Sequence, residues 1–205
     1  MSDYSQYDPS ENDPYVIEGS TCLINTLGFT NTADLNEAEA ELTKLTMAEL
    51  FRNPVPATFD TVHLQTIHRR LFEDIYDWAG QFRAVEIGKG GALFLPYRLI
   101  HITLTHIFQQ IQDEDLLAHL ARIEFGRRAG FYLAQINKVH AFREGNGRTQ
   151  RLFIEQLANH NGYTIDWNAI SQHAMAQASR AARTQDHTAQ QMSHLIMLNT
   201  LYIDE

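Results

Sequence analysis

The stretch VHAFREGNGRTQRLF, residues 139–153, places ionisable side chains and glycines directly before a helical pattern. His140 precedes Glu144 by four residues, and a Gly-Asn-Gly run at 145–147 follows at once. From Leu152 onward, apolar residues recur at helical spacing. The stretch therefore predicts a glycine loop that leads into the start of a helix near residue 148, and this order favours an all-α fold around it.

The glycine loop has the composition of a phosphate-binding site. Glycine allows positive φ angles and a close approach of ligands to the backbone, and the first N–H groups of a helix carry partial positive charge. Gly145, Asn146 and Gly147 are therefore candidate phosphate-binding residues. The positive charge of Arg148 is unfavourable at the positive end of the helix dipole, so this residue is better explained as a phosphate contact. Arg151 lies on the same helix face.

Two titratable residues of the stretch indicate catalysis. A carboxylate beside phosphate ligands repels them unless a divalent cation intervenes, so Glu144 is a candidate ligand of Mg²⁺. His140 has an unperturbed pKa near 6.5, which suits a general base near neutral pH. Gly-Asn-Gly alone is a common turn, and a single histidine is commonly structural. Their combination here predicts a magnesium–nucleotide site for transfer or hydrolysis, without identifying which phosphorus is attacked.

The composition of the chain limits which other classes of function it could have. The chain has 205 residues, 44% hydrophobic and 20% charged, which is typical of one globular domain. Its net charge of −9 disfavours direct nucleic-acid binding, and Cys22, the only cysteine, excludes an internal disulfide. Polar residues 1–15 predict a flexible arm before a single domain at 16–205. We see neither a signal peptide nor an apolar run of about 18 residues, so we expect a cytoplasmic protein that does not bind a membrane.

Apolar spacing predicts helices through most of the chain. They are expected at 32–50, 59–78, 97–112, 115–139, from 148 to 160, 167–182 and 186–200. Segment 83–96 alternates instead and contains four turn-forming residues, so it predicts a short β-hairpin, with a plain helix connector as the alternative. Its exposed edge could pair with an extended segment of a partner. The candidate target-binding residues are Val85, Ile87, Gly88, Lys89, Gly90, Gly91 and Leu93.

HAFREGNGRTQR resembles the signature of the Fic family, His-x-Phe-x-(Asp/Glu)-Gly-Asn-Gly-Arg-x-x-Arg. It departs from the usual signature at Ala141, where proline is common. The resemblance continues through DPYVIEGSTCLINTLG, IHRRLFEDIYDWAGQFR, GKGG and NGYTIDW, and so covers nearly the whole chain. It implies a Fic-type helical bundle with a β-hairpin flap over the active site. The matching residues are His140, Phe142, Glu144, Gly145, Asn146, Gly147, Arg148 and Arg151.

The resemblance implies transfer of AMP from ATP to a hydroxyl side chain of a target protein. By this resemblance His140 deprotonates the hydroxyl, Glu144 holds Mg²⁺ on the α- and β-phosphates, and residues 145–147 bind those phosphates. Arg148 then neutralises the β-phosphate side and Arg151 the γ-phosphate, while the flap aligns the target. The Gly-Asn-Gly-Arg form disfavours the Ala-Asn-Lys-Arg relatives, which resemble kinases.

The inhibitory pattern (Ser/Thr)-x-x-x-Glu-(Gly/Asn) of many Fic proteins does not occur in this sequence. The chain thus resembles bacterial Fic toxins whose inhibitory glutamate, the partner of Arg151, comes from a small helical antitoxin. We expect such a partner to dock near residues 20–50. That branch implies gyrase and topoisomerase IV, at their ATPase subunits, as targets. Three alternatives remain open: a nucleotide hydrolase, a transferase of another nucleotide or phosphate-containing group, and a binding module without catalysis.

Overall fold

The computed structural model describes residue 7, residues 13–184 and residues 189–203. Within this part the fold is mostly helical with two small antiparallel strand pairs, so the all-α prediction with a hairpin is confirmed. The helices are α1 (Thr32–Arg52), α2 (Thr61–Phe72), α3 (Ile100–Asp113), α4 (Arg122–Val139), α5 (Asn146–His160), α6 (Gln172–Thr184) and α7 (Gln190–Leu198). The strands are β1 (Gly88–Lys89), β2 (Ala92–Leu93), β3 (Tyr163–Ile165) and β4 (Thr200–Tyr202).

Helix α4 lies at the centre of the core and packs against α7 at very short range. A Cβ atom on Gly126 would lie 2.7 Å from the Cα of Met197, and one on Gly130 would lie 2.6 Å from the Cα of Ser193. Only glycine permits this approach, because a side chain at either position would clash with the backbone of α7. Other sides of α4 are apolar and pack against the rest of the core. The buried apolar residues of α4 include Phe125, Ala129, Tyr132, Leu133 and Ile136.

Side chains cap the first two helices. Asn31 Oδ1 accepts a hydrogen bond from the Ala33 N–H (2.7 Å), and Asp60 Oδ1 accepts one from the His63 N–H (2.8 Å). Such caps satisfy backbone donors that a helix start otherwise leaves unpaired. No side chain caps α5, which follows the glycine loop.

Two predicted helices are shorter than their apolar patterns. The pattern over 59–78 continues to Trp78, yet α2 ends at Phe72. The turns that follow, including the Ile75 N–H bonded to the Phe72 carbonyl (2.9 Å), keep Ile75 buried. The pattern over 115–139 is broken in the same way: a short 3₁₀ segment, Asp115–Leu117, with φ of 53° at Leu116, precedes α4.

The ends of the chain also differ from the predicted elements. The predicted helix 186–200 is α7 followed by β4, which pairs with β3 in the register Ile165 to Thr200; its residues 186–188 lie outside the described part. Of the predicted arm, residues 1–6 and 8–12 lie outside the described part of the chain. Tyr7 and residues 13–15 are described, and they contact the domain. None of the described helices has both the length and the apolar character needed to cross a bilayer.

Candidate active site

The loop between α4 and α5 brings the predicted chemical groups together. It begins at His140, which ends α4 in the left-handed conformation (φ 50°), and closes at Gly145. Phe142 is buried and stacks on the ring of His68, with 3.9 Å between ring centroids. His68 Nδ1 accepts a hydrogen bond from the Gly80 N–H, and its Nε2 lies 3.0 Å from the Glu144 carbonyl oxygen. Phe142 therefore anchors the loop in the core, and His68, which the sequence did not single out, supports the loop from below.

Gly145 and Asn146 set the shape of the loop. Gly145 has φ of 77°, and a Cβ atom there would lie 2.2 Å from Cζ of Phe72, so both conformation and space require glycine. The Asn146 side chain accepts a hydrogen bond from the Phe142 N–H (2.9 Å) and donates one to the Phe142 carbonyl (2.7 Å). These bonds hold the loop against the uncapped start of α5, where backbone N–H groups and the helix dipole favour an anion.

The imidazole of His140 is neutral and oriented as a base. Its Nδ1 lies 3.2 Å from the backbone carbonyl of Asn137, which can only accept, so Nδ1 carries the hydrogen. Nε2 is thus the unprotonated nitrogen, and it lies 3.0 Å from the Tyr7 hydroxyl. Burial lowers the pKa of His140 to about 3, and the ring is stacked on Phe94 at 3.9 Å. Nε2 is therefore unprotonated at neutral pH and oriented to accept a proton.

Glu144 can serve as an oxygen ligand for a divalent cation. One carboxylate oxygen accepts a hydrogen bond from the Gly145 N–H (2.8 Å) and lies 3.7 Å from Nη2 of Arg148. Burial, followed by the negative charge of Glu39, raises the pKa of Glu144 to about 7. A cation would offset both effects. Among the described residues there is no cluster of three or more His, Cys, Asp or Glu that could hold a metal.

Arg148 faces α1 and pairs there with a residue that the sequence analysis missed. Its Nη2 lies 2.5 Å from a carboxylate oxygen of Glu39, and its Nη1 donates to the Thr43 hydroxyl at 3.0 Å. The other oxygen of Glu39 accepts a short hydrogen bond from the Tyr76 hydroxyl. Glu39 is 1% exposed, so this is a buried ion pair of the domain core. Nothing in the local pattern around Glu39 indicated a partner 109 residues away.

Two cavities meet at the start of α5. The larger, of about 820 Å³, is lined by His140, the hairpin, the start of α5 and one side of α6. The smaller, a groove of about 410 Å³, runs between α1 and the glycine loop, with Arg148 in its wall. Gly147 and Arg151 border both cavities. A nucleotide in the larger cavity would place its phosphates at the start of α5, where the sequence predicted them.

The predicted hairpin forms, and the helix-connector alternative is wrong. Strands β1 and β2 pair Gly88 with Leu93, and the turn is confined to Gly90 and Gly91, both with positive φ, rather than spanning the four residues from Gly88. Leu93 is 71% exposed, as a target-facing residue should be. Ile87 is buried, which corrects its assignment to an exposed edge: its side chain packs into the domain.

Arg83 joins the hairpin to the catalytic loop and was also missed from sequence. Its guanidinium donates to four backbone carbonyls, those of Val139 and His140 on one side and of Val85 and Leu95 on the other. Burial lowers its pKa to about 10, so the group stays charged at neutral pH. Four oriented acceptors offset the desolvation of this charge.

The comparisons with known proteins agree with this geometry. A family model described as the Fic/DOC family matches residues 58–158. The protein adenylyltransferase VbhT of Bartonella schoenbuchensis is 40% identical over 82% of this chain, and the chain spans 35% of its length. A protein named "Probable protein adenylyltransferase Fic" from Escherichia coli K12 is 37% identical, with 88% of this chain and 89% of that protein covered.

Solved structures show the same fold. The BepC effector of Bartonella tribocorum with bound AMPPNP has a TM-score of 0.85 at 26% identity, over 93% of this chain and 98% of that one. The N-terminal Fic domain of a VirB-translocated effector from Bartonella quintana, with bound ADP, also has a TM-score of 0.85, at 30% identity, over 92% and 95% of the two chains. Both of these similar domains bind adenine nucleotides.

Proposed function

The chain belongs to the Fic/DOC family, and from this premise we propose that it transfers AMP from ATP to a hydroxyl side chain of a target protein. The observation that carries the proposal is the unprotonated Nε2 of His140, held 3.0 Å from a hydroxyl group at the uncapped start of α5. A base and an anion site within one loop, with a hydroxyl in contact with the base, are the parts that nucleotidyl transfer to a hydroxyl requires. The names of the similar proteins support the same activity.

In the proposed reaction, His140 Nε2 takes the proton of the incoming hydroxyl as its oxygen attacks the α-phosphorus. The Asn137 carbonyl, which holds Nδ1–H, stabilises the imidazolium that forms. Gly145, Asn146 and Gly147 bind the α- and β-phosphates at the start of α5. We assign the β-phosphate side to Arg148 and the γ-phosphate to Arg151.

We propose Mg²⁺ as the cofactor, held by Glu144. When bound, the ion would supply positive charge that offsets the charge of the phosphates. The protein supplies the carboxylate, fixed by the Gly145 N–H at 2.8 Å, in a buried setting that disfavours an unpaired negative charge. The hairpin then aligns the target through backbone pairing and through exposed Leu93.

The test uses ATP labelled with ³²P at the α-phosphate, Mg²⁺ and a bacterial lysate, with ATP labelled at the γ-phosphate in parallel. We expect protein-bound label from the α-position only, with the wild type and with His194→Ala, an exposed histidine of α7 that serves as the control. Label that stays in solution as a nucleotide would support a hydrolase. Protein-bound label from the γ-position would support a phosphotransferase. No turnover with intact ATP binding would support a binding module.

We further propose that the chain is the toxin of a toxin–antitoxin pair in the cytoplasm, with the ATPase subunits of gyrase and topoisomerase IV as targets. The groove of about 410 Å³ beside α1 has Arg151 in its wall, so an antitoxin helix that docks there would bring its glutamate to Arg151. Phe51 of α1 lines this groove and is exposed and apolar, as a docking face requires. Of the predicted region 20–50, only the part from residue 32 is helical, so the proposed docking face is α1 alone.

Growth tests this part of the proposal. Expression of the chain alone should arrest a bacterial host, and co-expression with a small helical protein encoded beside it should restore growth. His140→Ala should abolish the arrest, and purified gyrase and topoisomerase IV should accept label from the wild-type chain. A host that grows normally while it produces abundant, folded wild-type chain would contradict the toxin assignment.

A further inference from the structure

Gln150 has a buried carboxamide that the fold itself does not use. It lies in the second turn of α5 and is 4% exposed. Three other carboxamides are buried in the described part of the chain, and each makes a side-chain hydrogen bond: Asn137 at 3.4 Å, Asn146 at 2.7 Å and Gln156 at 2.8 Å. None of the residues that the structure describes is bonded to the carboxamide of Gln150. Buried polar groups are nearly always paired in folded proteins, so this amide points to a partner that the chain does not supply.

The side chain of Gln150 lines the larger cavity next to the proposed phosphate site. Gly147, Gln150 and Arg151 are three and four positions apart, so they share one face of α5, and all three line the cavity of about 820 Å³. Arg148 lies two positions before Gln150, or about 200° around the helix, and faces α1 instead. Helix α5 therefore presents charged Arg148 on one side of the proposed phosphate site and uncharged Gln150 on the other.

Ribose is the part of a nucleotide that suits this amide best. Residues 145–147 are the proposed site of the α-phosphate, and Gln150 lies about 4.5 Å further along the helix than Gly147. Ribose is bonded directly to the α-phosphate, so it is the first part of the nucleoside within reach of the amide. A carboxamide donates and accepts hydrogen bonds, as each ribose hydroxyl does, whereas phosphate oxygens only accept. Leu133 and Met175 of the same cavity are apolar and suit the flat faces of the base.

We propose that Gln150 binds the ribose hydroxyls of the nucleotide and thereby selects ribonucleotides over deoxyribonucleotides, an inference that rests on the proposed function. Bound ribose supplies the donor and the acceptor that no described group of the chain gives the carboxamide. A nucleotide without these hydroxyls leaves the amide buried and unpaired, which is how a polar site rejects an analogue that lacks a hydroxyl. The family signature leaves this position open, since Gln150 is the second x of Arg-x-x-Arg.

The test measures binding of ATP, 2′-deoxy-ATP and 3′-deoxy-ATP to the purified full chain by isothermal titration with Mg²⁺. It uses a His140→Ala background, which the proposed mechanism leaves unable to transfer AMP during the measurement. We expect at least one deoxy analogue to bind about tenfold more weakly than ATP, because the amide is then unpaired. Adding Gln150→Met, an unbranched apolar replacement, should weaken binding of ATP but not of that analogue, so the preference should largely disappear. Gln110→Met, at an exposed glutamine of α3, is the matched control and should keep the preference.

Thermal unfolding separates a role in binding from a role in the fold. Because the amide has no partner among the described residues, Gln150→Met should unfold at the temperature of its parent or above it. A less stable variant would assign the amide to the fold and overturn the inference.

The binding data give further outcomes that would overturn the inference. Equal binding of the three nucleotides with Gln150 present would do so, as would an unchanged preference in Gln150→Met. A variant that loses only a preference for ATP over GTP would assign the amide to the base instead of the ribose. These results do not depend on transfer, so they leave the proposed function standing. The proposed function fails separately if the wild-type chain binds ATP but no protein takes up label from its α-phosphate.

Discussion

Two different contacts hold the two sides of the loop at residues 140–147. On one side, called here the acceptor face, His140 meets the hydroxyl of Tyr7, a residue from the end of the chain. On the other, called the α1 face, Arg148 meets the carboxylate of Glu39 inside a helix of 21 residues. The first contact joins the loop to a residue outside the described helices, whereas the second joins α1 to α5 in the core. We infer that proton transfer depends on the acceptor face and that stability depends mainly on the α1 face, whose Arg148 also adjoins the proposed phosphate site.

His140→Ala should have the largest effect on activity, because it removes the base while leaving the α1 face intact. We expect labelling of target proteins to fall about 10²- to 10⁴-fold. Binding of ATP should stay within about a few-fold, since the base acts on the hydroxyl alone. Isothermal titration with a non-hydrolysable ATP analogue and transfer assays measure the two effects separately. Near-normal transfer by this variant would remove the distinction between the faces.

Glu39→Ala should have the largest effect on stability. It leaves the charge of Arg148, whose side chain is 15% exposed, without its main partner, and the loss of one member of a buried pair costs about 3–5 kcal/mol. Glu37→Ala, an exposed glutamate of the same helix, is the control and should stay within about 0.5 kcal/mol. Urea unfolding followed by circular dichroism measures both. Equal unfolding midpoints for the two variants would show that the α1 face contributes nothing to the fold.

Glu144→Gln should have an intermediate effect, which we expect on the Mg²⁺ dependence of transfer. A neutral amide is a poorer ligand for a hard cation, so the Mg²⁺ concentration for half-maximal transfer should rise about tenfold or more, equivalent to about 1.4 kcal/mol. Because the carboxylate is disfavoured by burial and by Glu39, the folded state should not lose stability. A magnesium titration of transfer checks the first point and thermal unfolding the second. An unchanged titration curve would mean that Glu144 does not hold the cation.

Leu93→Asp should have the smallest effect, and this effect should be limited to target recognition. The side chain is 71% exposed on β2, so a charge there should lower labelling of a protein target about fivefold, or about 1 kcal/mol, without changing ATP binding. Ile87→Asp should instead lower stability, because its side chain is buried. Parallel transfer, binding and unfolding measurements on the two variants separate recognition from packing. If Leu93→Asp also weakens ATP binding, the hairpin serves more than the target.

The sequence was sufficient for features that are local. A glycine loop before a helix places His140, Glu144 and the residues at 145–147 within eight residues of chain, whatever the rest of the fold does. The helix boundaries were less predictable, because apolar spacing does not distinguish a helix from successive turns. Ile75 stays buried beyond the end of α2 for that reason.

The long-range partners could not be predicted from the sequence. Tyr7 and Glu39 lie 133 and 109 positions from the residues that they contact, and no local pattern distinguishes them from other polar residues of their segments. The pairing of β3 with β4 is also distant, and each strand has three residues, too few for a clear alternation. Contacts of this kind depend on how helices pack, which single-sequence periodicity does not encode.

The four carbonyl contacts of Arg83 bear on how such a site can diversify. Its guanidinium holds backbone oxygens, so it does not depend on which side chains the intervening residues carry. The exposed side chains of residues 86–94, Leu93 among them, can therefore change while buried Ile87 and Phe94 keep the segment fixed relative to His140. Target recognition can therefore change while the positions of the catalytic residues stay the same. A hairpin transplanted from another member of the family should change which target is modified without changing the reaction.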